Sequence, residues 1–173
     1  MVYYRNPLHN YSINPIHNYS INPVHNYSIN PVHNYSINPV HNYSINPVHN
    51  YSINPIHNYS VNPYHNYSIN PIHNYSINPI HNYTINPRHN NNIPGWYVFD
   101  LKNMCVGFTV NVNNGAFLIR YTNNIEIHSY WIKRATGYCI FDVNLTYIGY
   151  AESDGNTGFN TFDLNGNWTG HLK

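Results

Sequence analysis

The chain has 173 residues, of which only 8% are charged, and a formal net charge of +1. That balance offers no cluster of Lys and Arg to displace phosphate counterions, so nucleic-acid binding driven by charge is excluded. Arg5 and Arg88 are the only charged residues before Asp100, while the other eleven charges fall between Asp100 and Lys173, so the composition divides the chain in two.

The N-terminus enters a repeat at Tyr3 with no apolar stretch after Met1. No run approaches the roughly 20 apolar residues of a membrane span. The default expectation is a cytoplasmic protein without a membrane span, export by a non-Sec route being left open.

Residues 3–90 are eleven near-identical octapeptides, Tyr-Ser-Ile-Asn-Pro-(Ile/Val)-His-Asn, running without an insertion. Proline at every eighth position, from Pro7 to Pro87, excludes a continuous α-helix, because each one removes a backbone donor and disfavours αR in the residue before it. Tyr-Ser-Ile reads as a short β segment and Asn-Pro-Val-His as a type I turn. Alternation along an extended chain predicts Tyr, Ile, Pro and His on one face of every unit. The array is thus expected to be a β-solenoid of short strands and Asn-Pro turns, or else an extended spacer. Large apolar or aromatic side chains at three of every eight positions, with almost no charge, favour order over a disordered tract.

A histidine follows each proline by two positions, from His9 to His89. Imidazole is a common ligand for zinc, copper and nickel, so His17, His25, His33 and His41 are candidates if coils align them. The array holds no Cys, Asp or Glu to complete such a site. Histidine therefore reads first as a polar corner residue, and no cofactor is implied. A row of histidines also predicts loosening in acid, through like-charge repulsion. The Asn-x-Ser/Thr triplets that the units create read as a by-product of the repeat.

Asn91, Asn92 and Pro94 suggest a linker over 91–94, after which a longer period begins. Phe99-Asp100, Phe141-Asp142 and Phe162-Asp163 each lead to a glycine seven residues after the Asp, at Gly107, Gly149 and Gly170. Their spacing predicts four units of 21 residues, at 95–115, 116–136, 137–157 and 158–173. Apolar and polar residues alternate on both sides of turn-forming centres, the pattern of a β-hairpin. The region 95–173 is therefore expected to be a pseudo-fourfold antiparallel β domain of four hairpins, within an all-β protein. Trp96, Phe117, Tyr138 and Phe159, with Val98, Ile119 and Ile140, form the expected core. Cys105 and Cys139 have no metal-ligand spacing and read as free thiols.

Four units of the form aromatic-x-Ile/Val-Phe-Asp-x-x-x-x-x-Ile/Val-Gly-aromatic resemble the bacterial four-fold beta-flower family. The array is similar to the Ser-Ile-Asn-Pro-x-x-Asn arrays that precede such domains in bacterial proteins. The resemblance implies fold and bacterial origin, and no chemistry.

The second unit departs from the pattern, with Arg120-Tyr121 aligned on Phe-Asp and His128-Ser129 on Gly-aromatic. Arg120, Glu126 and His128 are the candidate ligand-binding residues. No nucleophile, carboxylate pair or phosphate-binding loop accompanies them, so no catalytic residue is assigned. The expected function is a non-enzymatic structural or interaction protein, self-associating through the open coils near Met1 and capped by the β domain. The alternatives are a ligand- or carbohydrate-binding module with a protein or glycan partner and, more weakly, a toxin or hydrolase activity in the C-terminal domain.

Overall fold

A computed structural model describes residues 5–173. Tyr3 and the chain end at Met1, from which self-association was expected, lie outside the described residues. The protein is all-β: eight antiparallel strands form a closed barrel, and the octapeptides form tandem turns. No helix among the described residues is long and apolar enough to cross a membrane.

Among the described residues the octads contain no strand. Tyr-Ser-Ile is a 3-10 turn in most of them, as at Tyr27–Ile29 and Tyr43–Ile45, because asparagine side chains outcompete an extended conformation for the local backbone. Asn26 Oδ1 accepts from Ser28 N at 3.1 Å and Ser28 Oγ at 2.7 Å in the next octad, while its Nδ2 donates to Ser20 O in its own. Asn22 Oδ1 likewise accepts from Val24 N, and its Nδ2 donates to Pro15 O, both at 2.9 Å. With the main-chain bonds to preceding carbonyls, the N–H groups of Ser, Ile, the variable residue, His and both Asn are satisfied inside the array. A chain so self-sufficient needs no partner strand. The expected two-faced alternation therefore fails, since period 2 holds only for extended chain. Ile, the following Asn and Pro turn inward, and Tyr, Ser, the variable residue and His turn outward.

The octads leave the isoleucine carbonyls over, and groups of the barrel take several of them. Asn160 donates to Ile21 O, Arg134 to Ile37 O and Ile45 O, Cys139 to Ile45 O, and the Tyr121 hydroxyl to Ile77 O. The array is therefore a belt passing once round the barrel, opposite in sense to the strand order. Arg5, at the isoleucine phase of its octad, donates to Ile93 O and Gly95 O at 3.2 and 2.9 Å, joining the belt's start to its end. The expected linker belongs to the belt too: Asn90 caps Asn92 N as its counterparts cap Ser N, and Ile93 is buried in phase.

Eight strands follow in sequence order: β1 (Tyr97–Phe99), β2 (Cys105–Val112), β3 (Phe117–Thr122), β4 (Ile127–Lys133), β5 (Gly137–Asp142), β6 (Tyr147–Ser153), β7 (Phe159–Asp163) and β8 (Trp168–Leu172). Each pairs with its sequence neighbour, and β8 pairs with β1, so no edge is left open. The Phe-Asp motif makes the turns. Asp100 Oδ1 accepts from Lys102 N and Met104 N at 2.9 Å, and Asp142 and Asp163 repeat the arrangement. Gly107 sits where the next strand crosses, its position for a Cβ lying 2.2 Å from Tyr121 O.

Two apolar layers result. The lumen holds Val98, Leu118, Trp131, Tyr138, Ile140, Ala151 and Leu172, with Trp96 and Phe159 against them. A second layer lies between barrel and belt and includes Phe99, Phe117, Ile119, Tyr130, Phe141 and the belt isoleucines. Phe117 and Ile119, expected in the central core, thus face outward. The second unit carries one extra residue before its turn, so Tyr121-Thr122 is the counterpart of Phe-Asp, and Thr122 Oγ1 caps the turn by accepting from Asn124 N and Glu126 N. A one-residue slip moves every side chain to the other face. Leu118 takes the lumen place assigned to Phe117, and Arg120 that assigned to Ile119.

Candidate functional site

Each turn-to-strand return carries one unpaired extra residue: Val106, His128, Ile148 and Thr169. Such bulges re-aim side chains at a barrel rim. Three of them, His128, Ile148 and Thr169, line a cavity of about 120 Å³ at the turn end of the lumen, together with Arg120, Trp131 and Ile140 among others. Arg120 and His128, expected as ligand-binding residues, are thus brought together. Glu126 is not: it lies exposed on the turn before β4.

The electrostatics follow from burial. The Arg120 guanidinium is pulled below its ordinary pKa by desolvation, and His128 is lowered by desolvation and then by the charge of Arg120. Both shifts disfavour the cationic form. His128 Nδ1 lies 3.2 Å from Ser129 Oγ, which also accepts from Trp131 Nε1 at 2.8 Å. A histidine beside a serine suggests nucleophilic chemistry, but Ser129 is 0% exposed and its hydroxyl is held by the indole. It is placed to orient the ring and not to meet a substrate. Across the cavity, the Thr161 and Thr169 hydroxyls bond each other at 2.9 Å.

No family model, curated protein or solved structure matches this chain.

The array histidines point outward. His17, His25, His33 and His41 stack on Tyr11, Tyr19, Tyr27 and Tyr35, ring centroids 4.1 Å apart in each pair. Ring stacking with the tyrosine six residues earlier continues to Tyr83 and His89. No three His, Cys, Asp or Glu among the described residues converge as a metal would need. Both cysteines are free thiols, and burial pushes Cys139 up to about 11.

Two features escaped the sequence pattern. Arg134 and Glu152 form a buried ion pair in which the guanidinium also bonds the belt and lies 5.1 Å from the Tyr150 ring centre. Lys173 and Asp154 form a second buried pair. Opposite charges 18 and 19 residues apart were the available signal.

Proposed function

We propose that this chain is a non-enzymatic structural or interaction protein whose working surface is the outer face of the belt. The observation that carries this reading is the exposure of that face. Tyr11, Tyr19, Tyr27 and their successors to Tyr83 are 59–65% exposed, and between them lie exposed Ile and Val side chains such as Val24, Val48 and Ile72. An apolar and aromatic band of that extent is the kind of surface proteins use for contact. Because Arg5 ties the start of the belt to its end, association across the outer face is favoured over growth from open coils.

We further read the barrel as four copies of one hairpin unit, in keeping with the likeness to the bacterial four-fold beta-flower family. Sedimentation velocity at rising concentration tests the functional reading. Self-association that disappears when Tyr27, Tyr43 and Tyr59 are changed together to Ser, with the circular dichroism spectrum unchanged, supports it. A strictly monomeric protein at high concentration overturns self-association and leaves a heterologous partner as the remaining form of the proposal.

A second reading, a carbohydrate-binding module, is favoured by the same rings. Each tyrosine has one face on a histidine, which leaves the other available to stack on a sugar. A glycan screen with the triple Ser variant as control separates the two readings.

A further inference from the structure

The lumen contains a cation, Arg120, that meets no carboxylate among the described residues. At the level of Arg120 the other units place Val98, Ile140 and Thr161, so three of four copies keep this position uncharged. Arg120 Nε is buried and has no hydrogen-bond partner among the described residues. Arg134 Nε is unpartnered too, and the contrast lies in the charge, because Arg134 and Lys173 each meet a carboxylate, as Arg120 does not among the described residues. Asp163 lines the same cavity, yet its carboxylate serves its own turn, accepting from Asn165 N, Asn167 N and Asn167 Nδ2. An unsatisfied buried donor is destabilising, and more so when charged. A barrel gains nothing structural by retaining one where uncharged side chains serve its other units, so the group calls for a partner from outside the chain.

The walls narrow the chemistry of that partner. Trp131, Ile140 and Ile148 are apolar, the polar side chains opposite Arg120 among the described residues are the Thr161–Thr169 hydroxyl pair and Asp163, and His128 stands at the rim. One guanidinium suits one negative charge, and its planar fork matches a carboxylate with two parallel bonds. A doubly charged phosphate would find a single cation, an aspartate beside it and an apolar wall. A volume near 120 Å³ admits a short chain rather than a drug-sized molecule.

We propose that the turn end of the barrel lumen is a binding site for a small monocarboxylate, its carboxylate on the Arg120 guanidinium and its apolar body against Trp131, Ile140 and Ile148. This site is independent of the belt surface and of the interaction role argued from it.

The test uses the full chain with butyrate as probe, butyramide and inorganic phosphate as controls, read by amide chemical shifts and by thermal unfolding. Butyrate is expected to shift resonances of β3, β4 and β7 and to raise the melting temperature, as any ligand specific to the folded state does. Arg120→Met is expected to weaken butyrate binding by about tenfold or more while leaving the ligand-free protein no less stable than the parent. His128→Ala is expected to weaken it less. The proposal is overturned if butyrate leaves the folded parent unshifted, if Arg120→Met binds undiminished, or if butyramide or phosphate binds as well as butyrate. Loss of ligand-free stability in Arg120→Met also overturns it, since Arg120 is then a structural group.

Discussion

The belt and the barrel solve the same problem, keeping a small repeated unit folded, in opposite ways. The barrel satisfies its backbone across strands, so every unit depends on its neighbours in space. The belt satisfies its backbone within itself and with the preceding octad, so it can bend around any convex surface that fills its inner face. Hydrogen bonding thus fixes the belt's local shape, but only the barrel gives its isoleucines somewhere to go. Local order and global stability have been assigned to different halves of one chain.

The two periods mesh. Ile21, Ile45, Ile69 and Ile93, spaced 24 residues apart, are each 1% exposed. Asn160 and Cys139, 21 apart, bond Ile21 O and Ile45 O respectively. The same gearing explains two departures from the octad consensus. Tyr64 bonds Val143 O and Arg88 bonds Asn123 O, so both variable positions, 24 apart, touch successive hairpin turns.

The comparison can be broken outright by separating the halves. Residues 95–173 alone would expose Phe99, Phe117 and Phe141 on the outer barrel wall, and are expected to aggregate or to bind a hydrophobic dye without a cooperative melt. A reversible two-state transition of that fragment would show that the belt is dispensable. Deleting one octad, residues 43–50, is expected to do nearly as much harm, because every belt contact before the deletion is displaced by a third of a 24-residue step. Calorimetry should show the main transition lost or broadened.

A narrower cut removes the tie between the layers. Arg134→Met strands Glu152 in a buried site and is expected to cost about 3–5 kcal/mol in urea unfolding. Much of that should return in the double variant Arg134→Met with Glu152→Met. If the single variant costs no more than a surface substitution, the ion pair does not anchor the belt.

Acid should act on the barrel rather than on the belt's exposed rings. His171 is buried, its Nε2 lies 2.8 Å from Asn103 Oδ1, and its Nδ1 has no partner. Burial, then the charge of Lys173, lowers its pKa from 6.5 to about 3. Between those values the unfolded chain binds the proton that the folded chain refuses, so stability is full above about pH 6.5 and declines as pH falls toward 3. His171→Gln is expected to flatten the melting temperature across that window. An unchanged slope would return the acid sensitivity to the array histidines, where the repeat alone had placed it.

The smallest expected effects separate the two faces of the belt. Asn38, 9% exposed, donates to Pro31 O and accepts from Val40 N at 2.9 Å in each case. Asn38→Ala should cost about 1–3 kcal/mol. Tyr43→Ala on the outer face should stay within about 0.5 kcal/mol. Equal costs would mean that the inward and outward faces are not distinct.

Legibility followed from which physical signal each feature uses. The 21-residue period, the turns at Asp100, Asp142 and Asp163, and the lumen positions Trp96, Val98, Tyr138, Ile140 and Phe159 were readable, because turn chemistry and alternation are local. The second unit was misread by one residue, since Thr122 caps its turn with a hydroxyl where the others use a carboxylate. That slip sent Phe117 and Ile119 to the wrong face, yet Arg120 and His128 still drew attention as departures from the pattern. The belt was illegible for a different reason. A tract rich in Asn, Pro and Tyr announces turns, but the surface that it wraps is written elsewhere in the chain.

One consequence reaches back to the join at Arg5. Octapeptide tandems gain and lose copies easily when DNA is replicated, and in a rod each change would merely alter the length. A hoop closed on a barrel of fixed girth has one admissible number of beads. Here twelve isoleucine-phase positions, from Arg5 to Ile93, serve eight strands. The eight strands therefore act as a gauge on the repeat, under which a copy gained or lost in the first half of the gene is read out as a fold that cannot close.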